Sequence, residues 1–257
     1  MATDVEITDP KLSIYVPVPH VDIPGTCSAC HGAANARGDD YWSTCWNCRD
    51  IPADGVRVIV PVSLVHTTES QLYAAARDYK SEGVAAPIRS AHSLLLAATL
   101  QRFLREHGDC IRDAAGGDWM TISIIPSTRG RPEPHPLEQT IMRAPALRDH
   151  YERLLRWTGE AIDHARPNPN AFEAIIGVSG RRILLIDDTF TSGANAHSAA
   201  AALRAAGGHV VATVPVGRVV DTRDADRFPE KLEFWKRQRR AAFSFGSCCL
   251  ERPRRAT

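Results

Sequence analysis

No run of about 18 consecutive apolar residues interrupts this 257-residue chain, so no helical membrane span is expected. Net charge is nearly absent too. Against 31 Lys and Arg stand 30 Asp and Glu, a formal balance of +1, with no general pull toward nucleic acid or an anionic membrane. The N-terminal Met-Ala-Thr-Asp-Val-Glu has neither the basic nor the apolar region of a secretory signal, and a cytoplasmic location is expected. No internal repeat and no low-complexity tract occurs. Neither G-x-x-x-x-G-K-[ST] nor G-x-G-x-x-G is found, which excludes a Walker A loop and the dinucleotide fingerprint. The seven cysteines are an odd number, which argues against a complete disulfide framework. In a reducing compartment, paired cysteines more often bind metal or do chemistry.

What is present divides into two parts. Residues 1–55 hold four cysteines among scattered prolines and glycines, with no sustained periodicity, and read as a small module that needs an external staple. Residues 56–257 read as an α/β domain. Strands are expected at Val56–Val65, with Pro61 at an edge or an end, at Thr121–Pro126, Ile183–Ile186 and His209–Val216. Helices are expected at Thr67–Arg77, at Ala86–His107 with Ile88, Ala91 and Leu95 on the core face, at Ala146–His164, and at Ser198–Ala206. Residues 128–136 read as a loop and 231–240 as a basic, solvated helix face. The unit at 181–220 is strand, loop, helix, strand, which implies a parallel sheet.

Cys27-Ser-Ala-Cys30 and Cys45-Trp-Asn-Cys48 are two C-x-x-C pairs. Each pair can set two thiolates on one side of a tight turn, and two such turns complete a tetrahedral site suited to structural zinc. An iron–sulfur cluster, a redox dithiol and unligated buried thiols are the alternatives for the same residues. His20 and His31 are surplus and read as surface residues.

The strand ending Ile186 runs into Asp187-Asp188-Thr189-Phe190-Thr191-Ser192-Gly193-Ala194-Asn195. Ligands of parallel α/β sheets sit at the carboxyl ends of strands, and a helix start offers free N–H groups to an anion. Gly193 allows close backbone approach, while Thr191, Ser192 and Asn195 add donors. Two carboxylates would repel a phosphate, so they suit hydroxyls instead. The bland alternative is an ordinary helix cap, since Thr-Ser-Gly serves that purpose too.

Apolar run, Asp-Asp, two variable positions and Thr-Ser-Gly resemble the binding motif of type I phosphoribosyltransferases. With the cysteine pairs ahead of it, the chain is similar to the ComF-like, amidophosphoribosyltransferase-like family, which joins a zinc ribbon to that fold. Ala75-Ala-Arg-Asp-Tyr-Lys80 adds partial similarity, while Asn195 stands where the family usually has Thr, and its Arg-Gly-Phe-Asn-Gln segment has no counterpart here. The resemblance implies a type I phosphoribosyltransferase fold binding phosphoribosyl pyrophosphate with Mg2+, with Asp187 and Asp188 on the ribose hydroxyls. Thr189, Thr191, Ser192, Gly193, Ala194 and Asn195 would line the phosphate side. It implies phosphoribosyl transfer to a nitrogen acceptor. Purine salvage is not expected, because Thr191 stands where salvage members carry an Asp that acts on the base nitrogen. Residue 2 is Ala, so no glutaminase nucleophile is expected after Met1. The alternative is a non-catalytic binder of phosphoribosyl pyrophosphate or a nucleotide, acting in regulation or DNA uptake through its zinc module, with a DNA or competence-protein partner disfavoured by the neutral charge.

Lys80, Arg129 and Arg131 are candidate cations for the pyrophosphate end, with Arg129 the one assigned to catalysis. Cys248 and Cys249 read as buried thiols, and Trp42, Trp46, Trp119, Trp157 and Trp235 as core or domain contacts.

Overall fold

The computed structural model describes residues 2–52, 55–131, 133–163 and 165–252. In chain order the elements are α1 (Asp4–Thr8), a 3-10 helix (Asp9–Ile14), β1 (Ala36–Arg37), β2 (Asp40–Tyr41), α2 (Trp46–Arg49), β3 (Ser63–His66), α3 (Gln71–Asp78), α4 (Ala86–Ala114) and β4 (Thr121–Ile124). There follow α5 (Pro136–Ile141), α6 (Pro145–Arg148), β5 (Leu155–Trp157), β6 (Phe172–Ala174), β7 (Arg182–Phe190), α7 (Ala194–Ala205), β8 (His209–Val220) and α8 (Pro229–Gln238). The main sheet has the order β3-β8-β7-β4, and every pairing in it is parallel. No helix among the described residues is long and apolar enough to cross a membrane.

Strand β7 explains why both faces are covered. Side chains alternate along a strand, so Leu184 and Ile186 join one apolar cluster with Leu96, Leu100 and Phe103 of α4. Ile183 and Leu185 join the other, with Ala196, Ala199 and Leu203 of α7. A continuous apolar strand is the pattern of a sheet buried on both sides.

Several expected elements differ. In place of a strand over 56–65, the chain runs beside β8, with Val60 N–H donating to Thr213 O at 2.9 Å and Val62 N–H to Pro215 O at 3.0 Å. Pro61 offers no N–H between them, and the regular strand starts at Ser63, on the sheet edge. Helix α3 begins four residues after Thr67, capped by Ser70, because His66 Nδ1 draws the N–H groups of Thr68 and Glu69 into a turn. Ile88 and Ala91 are exposed, and the core face of α4 starts at Ser93. At about 1.5 Å per residue its first turns reach past the apolar cluster.

The expected helix over 146–164 is not formed. Helix α6 stops at Arg148, and Leu155–Trp157 instead pairs antiparallel with β6. Thr158-Gly159 ends that strand, with Gly159 at φ +98, and the partner 15 residues away is a tertiary contact that helical periodicity does not anticipate. His164, the last residue of that expectation, lies outside the described residues, as do Met1, Ala53, Asp54 and Pro132. The N-terminal region is also more regular than expected. A reciprocal Thr3–Glu6 capping box starts α1, and Asp4 and Asp9 pair with Arg105 and Arg102 of α4.

Candidate functional site

At the carboxyl end of the sheet lies a cleft of about 500 Å³ whose walls include Lys80, Arg129, Arg131 and the whole run Asp187–Asn195. Every residue assigned to the substrate from sequence is therefore gathered in one place. The cysteines line no part of it.

The floor is the β7–α7 junction. Gly193 is the N-cap of α7 with φ +85, a left-handed conformation. A Cβ there would stand 2.4 Å from Phe190 Cζ, so glycine is required by space as well as by backbone geometry. Helix α7 starts at Ala194, four residues earlier than its Ala-rich stretch suggests, and Asn195 belongs to its first turn. The N–H groups of that turn have no partner within the helix and carry the positive end of its dipole, which suits an anion.

The two acids play unequal parts. Asp188 is buried, and it accepts from Tyr79 Oη at 2.6 Å, from Thr189 Oγ1 at 3.0 Å and from Lys80 Nζ. Burial works against its charge, but Lys80 and these hydrogen bonds outweigh it and hold the carboxyl below its ordinary range. Asp187 is half-buried on the cleft wall. Burial, followed by the adjacent Asp188 carboxylate, pushes it above the usual carboxylate range. Asp188 thus anchors Lys80, while Asp187 is the acid with affinity left for a cation or a hydroxyl.

Of the cations, Lys80 is committed to Asp188, and its own carbonyl accepts from Arg131 Nη1. Arg129 is exposed at the rim, on a turn in which Ser127 Oγ accepts its N–H at 3.2 Å.

His135 lies under the same wall. Its Nδ1 accepts the N–H of Leu137, and burial, aided by Lys80, Arg131 and Arg153 against the opposing pull of Asp188, lowers its pKa to about 4. An unfolded chain protonates this histidine near pH 6.5, so its contribution to stability is complete above that pH and shrinks as pH falls toward 4. Asp187, shifted upward, acts with the opposite sign. The informative quantity is therefore the stability difference between the wild type and His135→Asn in urea. That difference should fall by about 2 kcal/mol between pH 7 and pH 5. A gap independent of pH would rule out a buried neutral imidazole.

The four paired cysteines are buried, and their sulfurs lie within 4.8 Å of one another. Cys30 Sγ and Cys45 Sγ are 3.8 Å apart. Two ligands of a tetrahedral zinc with Zn–S of about 2.3 Å stand about 3.8 Å from each other, so the cluster can hold a metal ion such as zinc. Each pair bends back on itself, with His31 N–H donating to Cys27 O and Cys48 N–H to Cys45 O, both at 3.0 Å. His31 is buried at φ +57, with Nδ1 3.1 Å from Pro19 O, and is not the surface residue expected. Trp42 and Trp46 are about half exposed (50% and 56%) and sit beside Arg37 and Arg49 rather than in a core. Packing around the sulfurs, not around aromatics, organises this module. Trp235 is buried as expected and stacks on His66.

One residue not foreseen connects the two sites. Arg218 of β8 is buried and donates from Nε to Cys30 Sγ at 3.2 Å. Its Nη1 donates to the carbonyls of Phe190 at 3.3 Å, the last residue of β7, and of Thr191 at 3.0 Å, in the loop that precedes α7. The guanidinium thus places positive charge against the cysteine cluster and ties the floor of the cleft to it. Its signal in the sequence is an arginine inside the apolar run 214–220. Comparison with known proteins gives no match, whether to a family model, a curated protein or a solved structure.

Proposed function

We propose that the cleft binds phosphoribosyl pyrophosphate and transfers its phosphoribosyl group to a nitrogen acceptor, in a type I phosphoribosyltransferase fold of the ComF-like kind working in the reducing cytoplasm. The observation that carries this reading is the pairing of an anion seat, Thr191–Asn195 around left-handed Gly193, with a half-buried carboxylate at Asp187 in one cleft. A phosphorylated sugar has both chemistries: an anionic end and vicinal hydroxyls.

The residues fit Mg2+ as well. The charge crowded at Asp187 beside Asp188 is relieved by a cation, and carboxylate oxygen is the donor that ion prefers. When bound, it supplies neutralisation of the pyrophosphate oxygens. The chain itself does the rest. The loop N–H groups and Ser192 hold the 5-phosphate, Asp187 orients the ribose, and Arg129 faces the leaving pyrophosphate as the anomeric carbon gains oxocarbenium character. Thr191 cannot accept a proton from a purine nitrogen, so hypoxanthine and guanine are not acceptors.

A second reading, ligand binding without turnover, is favoured by the Lys80–Asp188 pair, which leaves Arg129 as the cation facing the leaving group. Calorimetry with phosphoribosyl pyrophosphate and Mg2+, beside pyrophosphate release over a panel of amines and bases, separates the two. Asp187→Asn should weaken binding by about 10- to 100-fold, the cost of one charged hydrogen bond. Binding without release identifies a sensor. No binding by the wild type at millimolar ligand overturns both readings.

A further inference from the structure

The cysteines near the C-terminus lie against α4, with Cys249 in the apolar core and Cys248 beside a polar cluster. His107 and Cys110 are three residues apart on that helix and therefore share a face. Cys248 and Glu251 close a turn of their own, in which Glu251 N–H donates to Cys248 O at 3.1 Å and Cys248 N–H to Glu251 Oε2 at 3.2 Å. One donor atom from each of these four residues lies within 4.8 Å of all the others. Cys110 Sγ stands 3.9 Å from His107 Nδ1 and 3.6 Å from Glu251 Oε1, and the latter two atoms are 3.9 Å apart.

The nitrogen–oxygen separation is too long for a hydrogen bond, and the two to sulfur are long even for a thiol. A metal tetrahedron with Zn–S near 2.3 Å and Zn–N or Zn–O near 2.0 Å has edges of about 3.3–3.8 Å, so these three pairs would close by only about 0.1–0.6 Å around an ion. The histidine supplies a separate observation. Its ring is buried, and Nε2 lies 2.6 Å from the carbonyl oxygen of Phe245. A carbonyl only accepts, so Nε2 carries the proton and Nδ1 turns its lone pair toward the sulfurs. A backbone carbonyl behind the imidazole is the usual support of a ligating histidine.

We propose that His107, Cys110, Cys248 and Glu251 form a second metal site, of the zinc class, which clips the C-terminal segment to α4. Two thiolates and an imidazole select zinc over Mg2+ or Ca2+, and loading releases the two thiol protons. Glu251 is exposed and lines, with Cys248, a separate cleft of about 920 Å³. It is the replaceable ligand, and this site is the weaker of the two.

The test uses the full reduced chain titrated with zinc chloride and followed by native mass spectrometry, with cobalt(II) as a spectroscopic stand-in. The wild type should take up two equivalents. Cys110→Ser with Cys248→Ser should take up one and keep the thiolate-to-cobalt charge-transfer band of the four-cysteine centre. Glu251→Gln should weaken the second equivalent at least tenfold. Zinc should also protect Cys110 and Cys248 of the wild type from iodoacetamide, a readout that holds even where the double variant does not fold. One equivalent at saturating zinc, with both cysteines still alkylated, overturns the proposal. So does a Cys110–Cys248 disulfide that survives treatment with a thiol reductant.

Discussion

Leaving the four-cysteine cluster without a metal such as zinc is expected to weaken sharply the proposed phosphoribosyl pyrophosphate binding, in a cleft that none of those cysteines lines. The route is Arg218. Its guanidinium is buried and reaches the cluster through Cys30, and without a metal the four sulfurs lose the bonds that would fix their positions. An unpaired buried charge would cost about 3–5 kcal/mol, so the arginine is expected to follow Cys30 as the cluster loosens. Moving it withdraws the donors from Thr191 O and Phe190 O and releases the loop that shapes the anion seat. Dialysis against a chelator should therefore lower the Tm and weaken phosphoribosyl pyrophosphate binding at least 100-fold. Arg218→Met should weaken binding with the metal still present, which separates the bridge from general unfolding. Metal-free protein that binds within twofold of the wild type would show that the two sites are independent.

The second large effect belongs to Gly193→Ala. A methyl group at this position meets Phe190 Cζ at 2.4 Å and Cε1 at 3.0 Å, and Phe190 is itself buried. The ring cannot swing aside without opening the core around α7, and the φ of +85 adds strain of about 1 kcal/mol. The expected loss of stability is about 2–4 kcal/mol, in the range of overpacked cores. Because the displaced segment is the loop itself, binding should fall more steeply than stability. Adding Phe190→Leu makes room for the methyl group and should recover much of the stability but not the binding, since the backbone strain persists. Equal recovery of both would place the defect in packing alone.

Residues 181–220 carried their fold in plain view. Four apolar residues, a polar junction and an Ala-rich stretch demand a buried parallel strand feeding a helix, and the structure has that unit. The cysteine pairs were equally legible, because their spacing alone brings two thiolates to each turn. Other features depended on partners distant in the chain. Leu155–Trp157 is a strand only because Phe172–Ala174 lies beside it, and Ile88 is exposed because the buried face of α4 begins only at Ser93. The unequal roles of Asp187 and Asp188 were hidden for the same reason. Adjacent in sequence, they face opposite sides of β7, and only Asp188 meets Tyr79 and Lys80. His107 and Cys248 lie 141 positions apart, and no local pattern could have joined them.

Helix α7 is enclosed nearly all round, and most of what it buries is methyl groups: Ala194, Ala196, Ala199, Ala200, Ala201 and Ala202. Such a helix behaves as a shim whose thickness sets the height of everything mounted on its end. On the opposite face, the leucines and phenylalanine of α4 can trade volume with one another as long as the total is kept. Under α7 the alanines leave little volume to trade, Leu203 being the one large apolar side chain the helix itself buries, so an added methylene should tilt the rod and lift its tip. Sequence drift in this protein should accordingly be lopsided, generous on the side of the long helix and nearly frozen on the alanine side.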